Sequence, residues 1–125
     1  MKRIRIEIKS EREFIEDLMK IAEKIDRGEA APTDEIVLSF EDFETFYRSI
    51  TPDRLKLINI IKQNEPIKIE YLAELVGIDI EKLINELKEL ETLGLVEFDN
   101  SKVKVPYEEI VVNLKMKLVI KNTPR

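Results

Sequence analysis

Lysine and asparagine side chains recur at helical spacing in the segment 79–93, and their chemistry suits nucleic-acid recognition. Lys82, Asn85 and Lys88 are three residues apart and therefore lie on the same broad side of a helix. An asparagine amide can form paired hydrogen bonds with adenine, and a lysine ammonium neutralises a phosphate. We expect this side of the helix, with lysines before and after it, to contact DNA. The candidate DNA-binding residues are Lys68, Glu81, Lys82, Asn85, Lys88, Glu89, Lys102 and Lys104.

Each candidate on the helix also has an ordinary structural interpretation. Lys82 and Lys88 can form ion pairs with neighbouring glutamates on a solvated helix. Asn85 can be a plain surface residue. The alternation of Lys102 and Lys104 with valines directs both lysines outward whether or not DNA is present. These interpretations remain open beside the DNA-contact hypothesis.

The charge of this region weakens the expectation of tight DNA binding. Residues 51–105 contain eight Lys or Arg and eleven Asp or Glu, a net charge of −3. Asp79 and Glu81 occupy the start of the helix that would enter the groove, where basic or polar residues would favour phosphate contact. A basic surface therefore requires that the lysines converge in the folded chain.

Enzymatic chemistry is restricted because the chain has no histidine and no cysteine. The absence of histidine removes the commonest general base and imidazole metal ligand, and the absence of cysteine removes thiolate sites and disulfides. The 26 Asp and Glu residues show no spacing that singles out a catalytic pair. We expect no enzyme activity, no cofactor and no bound metal.

Composition indicates one ordinary domain with a real hydrophobic core. The chain has 125 residues, of which 43% are hydrophobic. Charged residues make up 38%, well above the roughly 25% of typical domains, which is a composition typical of thermophiles. The first residues alternate in polarity, and no apolar run reaches membrane-spanning length. We expect a cytoplasmic location and no membrane partner.

The segment 52–105 has the element order that would position the candidate surface. Thr51 and Pro52 form a helix start signal, Gly77 permits a tight turn, and Gly94 ends the longest helix. Ala73 is small where two helices must cross, and Leu83 with Leu87 can pack back onto the first helix. Asp79 is the expected N-cap of the longest helix. The predicted elements are a helix at 52–63 with buried Leu55, Ile58 and Ile61, a helix at 69–76 with an apolar surface of Tyr71, Leu72, Ala73, Leu75 and Val76, a helix at 79–93, and a hairpin at 95–105.

The flanking segments predict further strands and one more amphipathic helix. Ser10 and Glu13 form a capping box that begins a helix ending near Gly28, and Ser39 is the expected cap of a short helix through Arg48. The predicted strands are Ile4 to Ile8, Ile36 to Leu38, and a long C-terminal strand from Ile110 to Ile120. Because unpaired strand edges seek partners, we expect a homodimer formed by the Ile4 to Ile8 strand and the long C-terminal strand, or by the helix 11–27.

Aromatic residues cluster in the short helix that follows the second strand. Phe40, Phe43, Phe46 and Tyr47 recur at helical spacing. They can line a ligand pocket, but an aromatic stripe at this spacing is more often core. We favour the core interpretation.

The stretch from Ser39 to about Met116 resembles a family of predicted winged-helix transcriptional regulators common in archaea, some of which look like antitoxins. The resemblance lies in "LSFEDFETFYRSITPDRLKLINII", "YLAELVGIDIEKLINELKELETLGLVEF" and "VPYEEIVVNL". The segment "EREFIEDLMKIAEKIDRGE" is similar to the β-α piece that precedes the winged helix in this family. The resemblance implies a homodimer on double-stranded DNA, with the third helix in the major groove and the wing on the backbone.

These observations together predict an α+β fold, a winged helix-turn-helix with an N-terminal β-α extension and a long C-terminal strand. Residues 1–35 would form the extension and linker, and residues 36–121 the winged-helix domain. The predicted function is sequence-specific DNA binding in transcription regulation. The alternative is a winged-helix module that binds a protein, for example a toxin, with little DNA affinity.

Overall fold

The computed structural model describes residues 2–29 and 35–114, which form five helices and six strands. Local signals set several of the boundaries, as the capping box at Ser10 and the proline after Thr51 do. The elements in chain order are β1 Arg3–Ile8, α1 Glu11–Asp26, β2 Glu35–Phe40, α2 Phe43–Ser49, α3 Pro52–Asn64, β3 Ile67–Lys68, α4 Ile69–Val76, α5 Ile80–Thr92, β4 Glu97–Asp99, β5 Lys102–Lys104 and β6 Glu109–Asn113.

The strands form two small sheets of different kinds. In the first, β1 lies between β2 and β6 and is parallel to both, with Ile4 opposite Ile36 and Ile110. In the second, β5 lies between β3 and β4 and is antiparallel to both. This second sheet is the wing. Its β4–β5 hairpin follows α5, whereas β3 comes before α4 in the chain.

One face of the first sheet belongs to the hydrophobic core. Ile4 and Ile6 are buried, and Phe40 meets Phe46 of α2 edge to face, with ring centroids 5.7 Å apart. The core continues into the helices through Ile50, Leu57, Ile58, Ile61, Leu72, Leu83, Leu87 and Leu90. The first sheet and the helix-turn-helix therefore share one core.

The opposite face of the first sheet is charged. Arg3 pairs with Glu109 across β1 and β6 at 2.9 Å, and Arg5 pairs with Glu35 of β2 at 3.0 Å. Lys9 contacts Glu7 at 2.7 Å and also pairs with Asp17 of α1. The hydrogen bond to Asp17 raises the pKa of Lys9 most, and the hydrogen bond to Glu7 raises it further. Lys9 therefore joins the first half of α1 to this charged face.

The capping and burial pattern differs from expectation at several positions. Ser10 caps α1 as expected, since its Oγ accepts from the Glu13 backbone N–H at 3.2 Å. Asp42 rather than Ser39 caps α2, because Ser39 is still paired in β2. In α3 the third buried residue is Leu57, whereas Leu55 is 38% exposed. Asp79 has the N-cap position of α5, but its side chain makes no cap hydrogen bond.

The aromatic cluster divides between core and surface. Phe40 and Phe46 are buried, as the core interpretation requires. Phe43 is 42% exposed and stacks on the exposed Tyr47 at a centroid distance of 6.0 Å. Half of the aromatic stripe is therefore core, and the other half faces solvent.

The fold is the α+β winged helix-turn-helix that the sequence predicts. β1 and α1 form the expected N-terminal β-α unit, and β1 is shared with the sheet of β2 and β6. The C-terminal strand is described as far as Asn113, and the part predicted for 115–120 lies outside the described residues. The division near residue 35 stays a prediction. Among the described helices, none has the length and apolar character needed to cross a membrane.

Candidate nucleic-acid interface

A tight turn joins α4 to α5 and fixes the direction of α5. Gly77 has a φ of 77°, in the left-handed region that favours glycine. The backbone N–H groups of Gly77 and Ile78 both donate to the Ala73 carbonyl, at 2.8 and 3.2 Å. Ala73 itself is buried. These features are the ones that the sequence predicts for the turn of a helix-turn-helix.

α5 packs with one face on the core and presents the other to solvent. Leu83, Leu87 and Leu90 are fully buried. At 3.6 residues per turn, Asn85 lies near the middle of the opposite face. Lys82 and Glu89 lie on one side of Asn85, and Glu81 and Lys88 on the other. All five candidates on α5 are exposed.

The wing brings three of the candidate lysines to one side of a sheet. Lys68 of β3 is directly opposite Lys102 of β5, and Lys104 follows Lys102 on the same face. The intervening Val103 points to the core and is fully buried. Lys104 lies 3.9 Å from Glu97, whereas Lys68 and Lys102 have no ion pair within the described residues.

The two lysines of α5 do not converge. Lys82 lines a groove of about 660 Å³ between α3, the end of α4 and the start of α5. Lys88 lies on the other side of Asn85. Neither lysine has an ion pair among the described residues, and the nearby Glu86 instead binds Arg54. The expected convergence of five lysines is therefore seen for the three on the wing, while Lys82 and Lys88 flank Asn85.

Glu65 holds the wing against α3. One carboxylate oxygen accepts from the Val105 backbone N–H at 2.7 Å, and the other accepts from Lys62 at 2.7 Å. Lys62 also donates to the Val105 carbonyl at 3.2 Å. The end of β5 is thus bound through both of its backbone polar groups. No local sequence signal indicates this contact, because Glu65 and Val105 are 40 positions apart.

Arg54 ties α3 to α5. Its guanidinium donates to Glu86 at 2.7 Å and to the Ser49 carbonyl at 2.8 Å, and its side chain is only 15% exposed. Thr51 caps α3 by accepting from the Arg54 backbone N–H at 3.1 Å. Arg54 therefore fixes the position of α5 relative to α3.

Tyr107 connects the chain after the wing to the end of α5. Its hydroxyl donates to the Gly94 carbonyl at 2.8 Å, next to the left-handed turn that Gly94 makes with a φ of 79°. Burial, and to a smaller extent Glu97, raises the pKa of Tyr107. The phenol is therefore a neutral donor at physiological pH.

α4 exposes two apolar side chains that the sequence places on its packing surface. Tyr71 is 60% exposed and Leu75 is 57% exposed, whereas Leu72 and Ala73 are buried. Tyr71 and Leu75 are four residues apart and lie on the same side of the helix. The packing surface of α4 is therefore narrower than expected, and its apolar outer side borders the groove that Leu75 lines.

The comparisons with known proteins bear on the region that contains these elements. No curated protein matches the sequence. Among solved structures, the multiple antibiotic-resistance repressor (MarR) from Listeria monocytogenes 4b F2365 is similar, with a TM-score of 0.43 and 20% identity over 77% of this chain. The match covers 64% of the Listeria protein, which is less than two thirds of its length.

A family model also matches the chain. The model is that of the HVO_A0114 family, and it matches residues 49–112, just over half of the 125 residues. The matched region runs from the end of α2 through the helix-turn-helix and the wing to β6. This chain belongs to the HVO_A0114 family.

Proposed function

We propose that this protein binds duplex DNA in transcription regulation, with α5 in the major groove and the wing on the phosphate backbone. The observation that carries the proposal is the position of Asn85 at the middle of the exposed face of α5, beside a wing that presents Lys68 and Lys102 without ion pairs. An amide there can read an adenine edge, and the two ammonium groups can bind phosphates.

The acidic residues of α5 set the expected strength of binding. Glu81 and Glu89 flank Asn85 together with Lys82 and Lys88, so the exposed face of the helix is close to neutral. Most of the phosphate attraction must then come from the wing. We expect modest affinity at physiological salt and a strong gain at low salt, because phosphate contacts release counterions.

A protein-binding function is the second candidate. Tyr71 and Leu75 form a small exposed apolar side on α4, beside the groove of about 660 Å³. Aromatic residues at the centre of an apolar patch are common anchors in protein interfaces. A partner protein bound here would cover Leu75 and Lys82 together.

Fluorescence anisotropy tests the proposal, with a labelled duplex from the region upstream of the gene. Asn85→Ala should weaken binding to the preferred duplex by about 5-fold to 150-fold, which corresponds to the ~1–3 kcal/mol of a good base contact. Lys102→Ala should weaken binding to specific and random duplexes equally. Arg48→Ala is the matched control, because Arg48 is an exposed cation on α2 away from α5 and the wing.

The two candidate functions predict opposite results for two substitutions. If α4 docks a protein and α5 does not bind DNA, Asn85→Ala and Lys102→Ala leave duplex binding at the level of the control. Binding to the duplex that is insensitive to both substitutions contradicts the proposed function.

A further inference from the structure

α1 has a wide apolar side that the rest of the described chain does not cover. None of its 16 residues is buried. The six large apolar side chains of the helix are between 39% and 62% exposed, and they recur at the spacing of an amphipathic helix. They are Phe14, Ile15, Leu18, Met19, Ile21 and Ile25.

β2 has an edge that is open to pairing. It lies at one end of the first sheet, and no strand among the described residues pairs with its outer side. Charges and prolines are the usual devices that protect an edge strand. β2 has one charge, Glu35 at its start, which pairs with Arg5, and residues 36–40 contain no charge and no proline. Ile36 and Val37 point to opposite faces of the sheet, and both are 43% exposed. A strand at the edge of a sheet exposes side chains on both faces because no second strand covers them from its outer side.

The connection between these elements determines which partner fits both of them. α1 links the parallel neighbouring strands β1 and β2, and the ion pair between Lys9 and Asp17 holds its first half at the charged face of the first sheet. If β2 pairs antiparallel with β2 of a second copy, a two-fold axis perpendicular to the sheet brings the two α1 helices side by side and antiparallel. One symmetry operation then covers both the strand edge and the helix.

We propose that α1 and the outer edge of β2 form a two-fold interface with a second copy of this chain. The two β2 strands join the sheets into one of six strands, and the two α1 helices pack against each other. The proposal does not rest on the proposed DNA binding.

The apolar residues of α1 fit an antiparallel copy. The spacing of four apolar residues on α1 is four, three and four, which is unchanged when the direction of the helix is reversed. These residues are Phe14, Leu18, Ile21 and Ile25. In the antiparallel alignment Leu18 lies beside Ile21 of the second copy.

The available apolar surface is of the size that a stable dimer needs. Half of a large apolar side chain is on the order of 80 Å². The six residues of α1 with Ile36 and Val37 therefore offer on the order of 600 Å² per copy. A standard interface buries about 800 Å² per partner, of which roughly 57–65% is apolar. The requirement is about 450–520 Å² of apolar surface, which this surface meets.

Sedimentation velocity on the full chain without DNA tests the interface. The wild type should sediment as a dimer at tens of micromolar, and Leu18→Glu should sediment as a monomer with an unchanged far-ultraviolet circular dichroism spectrum. Leu75→Glu is the matched control, since Leu75 has a similar exposure on α4 and should leave the dimer intact. A monomeric wild type, or a Leu18→Glu variant that stays dimeric, overturns the proposal.

Spin labels test the alignment without disturbing the apolar residues. The chain has no cysteine, so Lys20→Cys and Arg12→Cys each give one labelled position. Lys20 lies near the two-fold axis, so the two copies of residue 20 are close together along the helix direction. Arg12 would lie opposite residue 27 of the other copy, so the two copies of residue 12 are separated along the helix direction by about 22 Å, at about 1.5 Å per residue. The distance between labels should be on the order of 10 Å longer at 12 than at 20. Equal distances, or no dipolar coupling at either position, overturn the proposal.

Discussion

Glu65→Ala should loosen the wing more than substitution of any exposed carboxylate in the helix-turn-helix region. The change removes the acceptor for the Val105 backbone N–H and the ion partner of Lys62, both at 2.7 Å. Hydrogen bonds to charged groups contribute about 1.5–3 kcal/mol, and the half-exposed Lys62 pair adds at most about 1 kcal/mol. We expect the free energy of unfolding to fall by about 2–3 kcal/mol.

Urea denaturation followed by circular dichroism measures this loss. With a slope of about 2 kcal/mol per molar urea, the midpoint should fall by about 1–1.5 M. Glu65→Gln keeps a carbonyl oxygen that can accept from the Val105 N–H, so its loss should stay near 1 kcal/mol. Glu74→Ala on α4, an exposed carboxylate outside this contact, should change stability by less than about 0.5 kcal/mol. If Glu65→Ala costs no more than Glu74→Ala, the hydrogen bond from the Val105 N–H to Glu65 does not stabilise the wing.

Two further substitutions test the supports of α5. Tyr107→Phe removes the hydrogen bond to the Gly94 carbonyl and should cost about 1 kcal/mol at pH 7. Because folding raises the pKa of Tyr107, this phenol contributes stability that is present below about pH 10 and is lost as the pH rises through the folded pKa. The Tyr107→Phe variant should therefore lose less stability between pH 9 and pH 11 than the wild type. If urea titrations show the same alkaline loss for both proteins, the buried phenol is not its cause. Gly77→Ala places a Cβ in open space but at a φ of 77°, so the cost is purely conformational, about 1–2 kcal/mol in thermal unfolding. A neutral Gly77→Ala would mean that the α4–α5 turn does not need the left-handed conformation.

The local signals of the sequence predict most of the element boundaries. Ser10, Thr51, Gly77 and Gly94 each fix a helix end through a hydrogen bond or a left-handed φ that depends only on nearby residues. The alternating Lys102 to Val105 segment likewise settles which side of the wing faces solvent. Asp79 shows the limit of such signals, since a residue of the right type at the right position makes no cap bond.

Contacts between distant segments could not be predicted in the same way. Glu65 to Val105 and Arg54 to Glu86 join residues that are 40 and 32 positions apart, and periodicity carries no information on such pairs. The exposed apolar side of α1 shows the same limit. A 3.6-residue pattern indicates that one side of a helix is apolar, but it does not say what covers that side.

Among the lysines of the candidate interface, one arrangement is seen only in the structure and another can be predicted from the sequence. Lys68 is 34 positions before Lys102, and only the pairing of β3 with β5 reveals that the two ammonium groups share one sheet face. The separation of Lys82 from Lys88 follows from the helix geometry alone. The wing is therefore a stronger candidate for phosphate contact than the sequence indicates, and α5 a weaker one.

The salt dependence of duplex binding tests the proposed function most directly. A plot of the logarithm of the binding constant against the logarithm of salt concentration should have a slope of about −0.9 for each phosphate contacted, and each wing lysine removed should reduce the slope by about 0.9. We predict that the double variant Lys68→Ala/Lys102→Ala lowers the steepness by about 1.8 per copy of the chain. The double variant Arg12→Ala/Arg48→Ala removes the same charge from α1 and α2 and should leave the slope unchanged. Equal slopes for the wild type and the wing variant would contradict DNA binding through this surface.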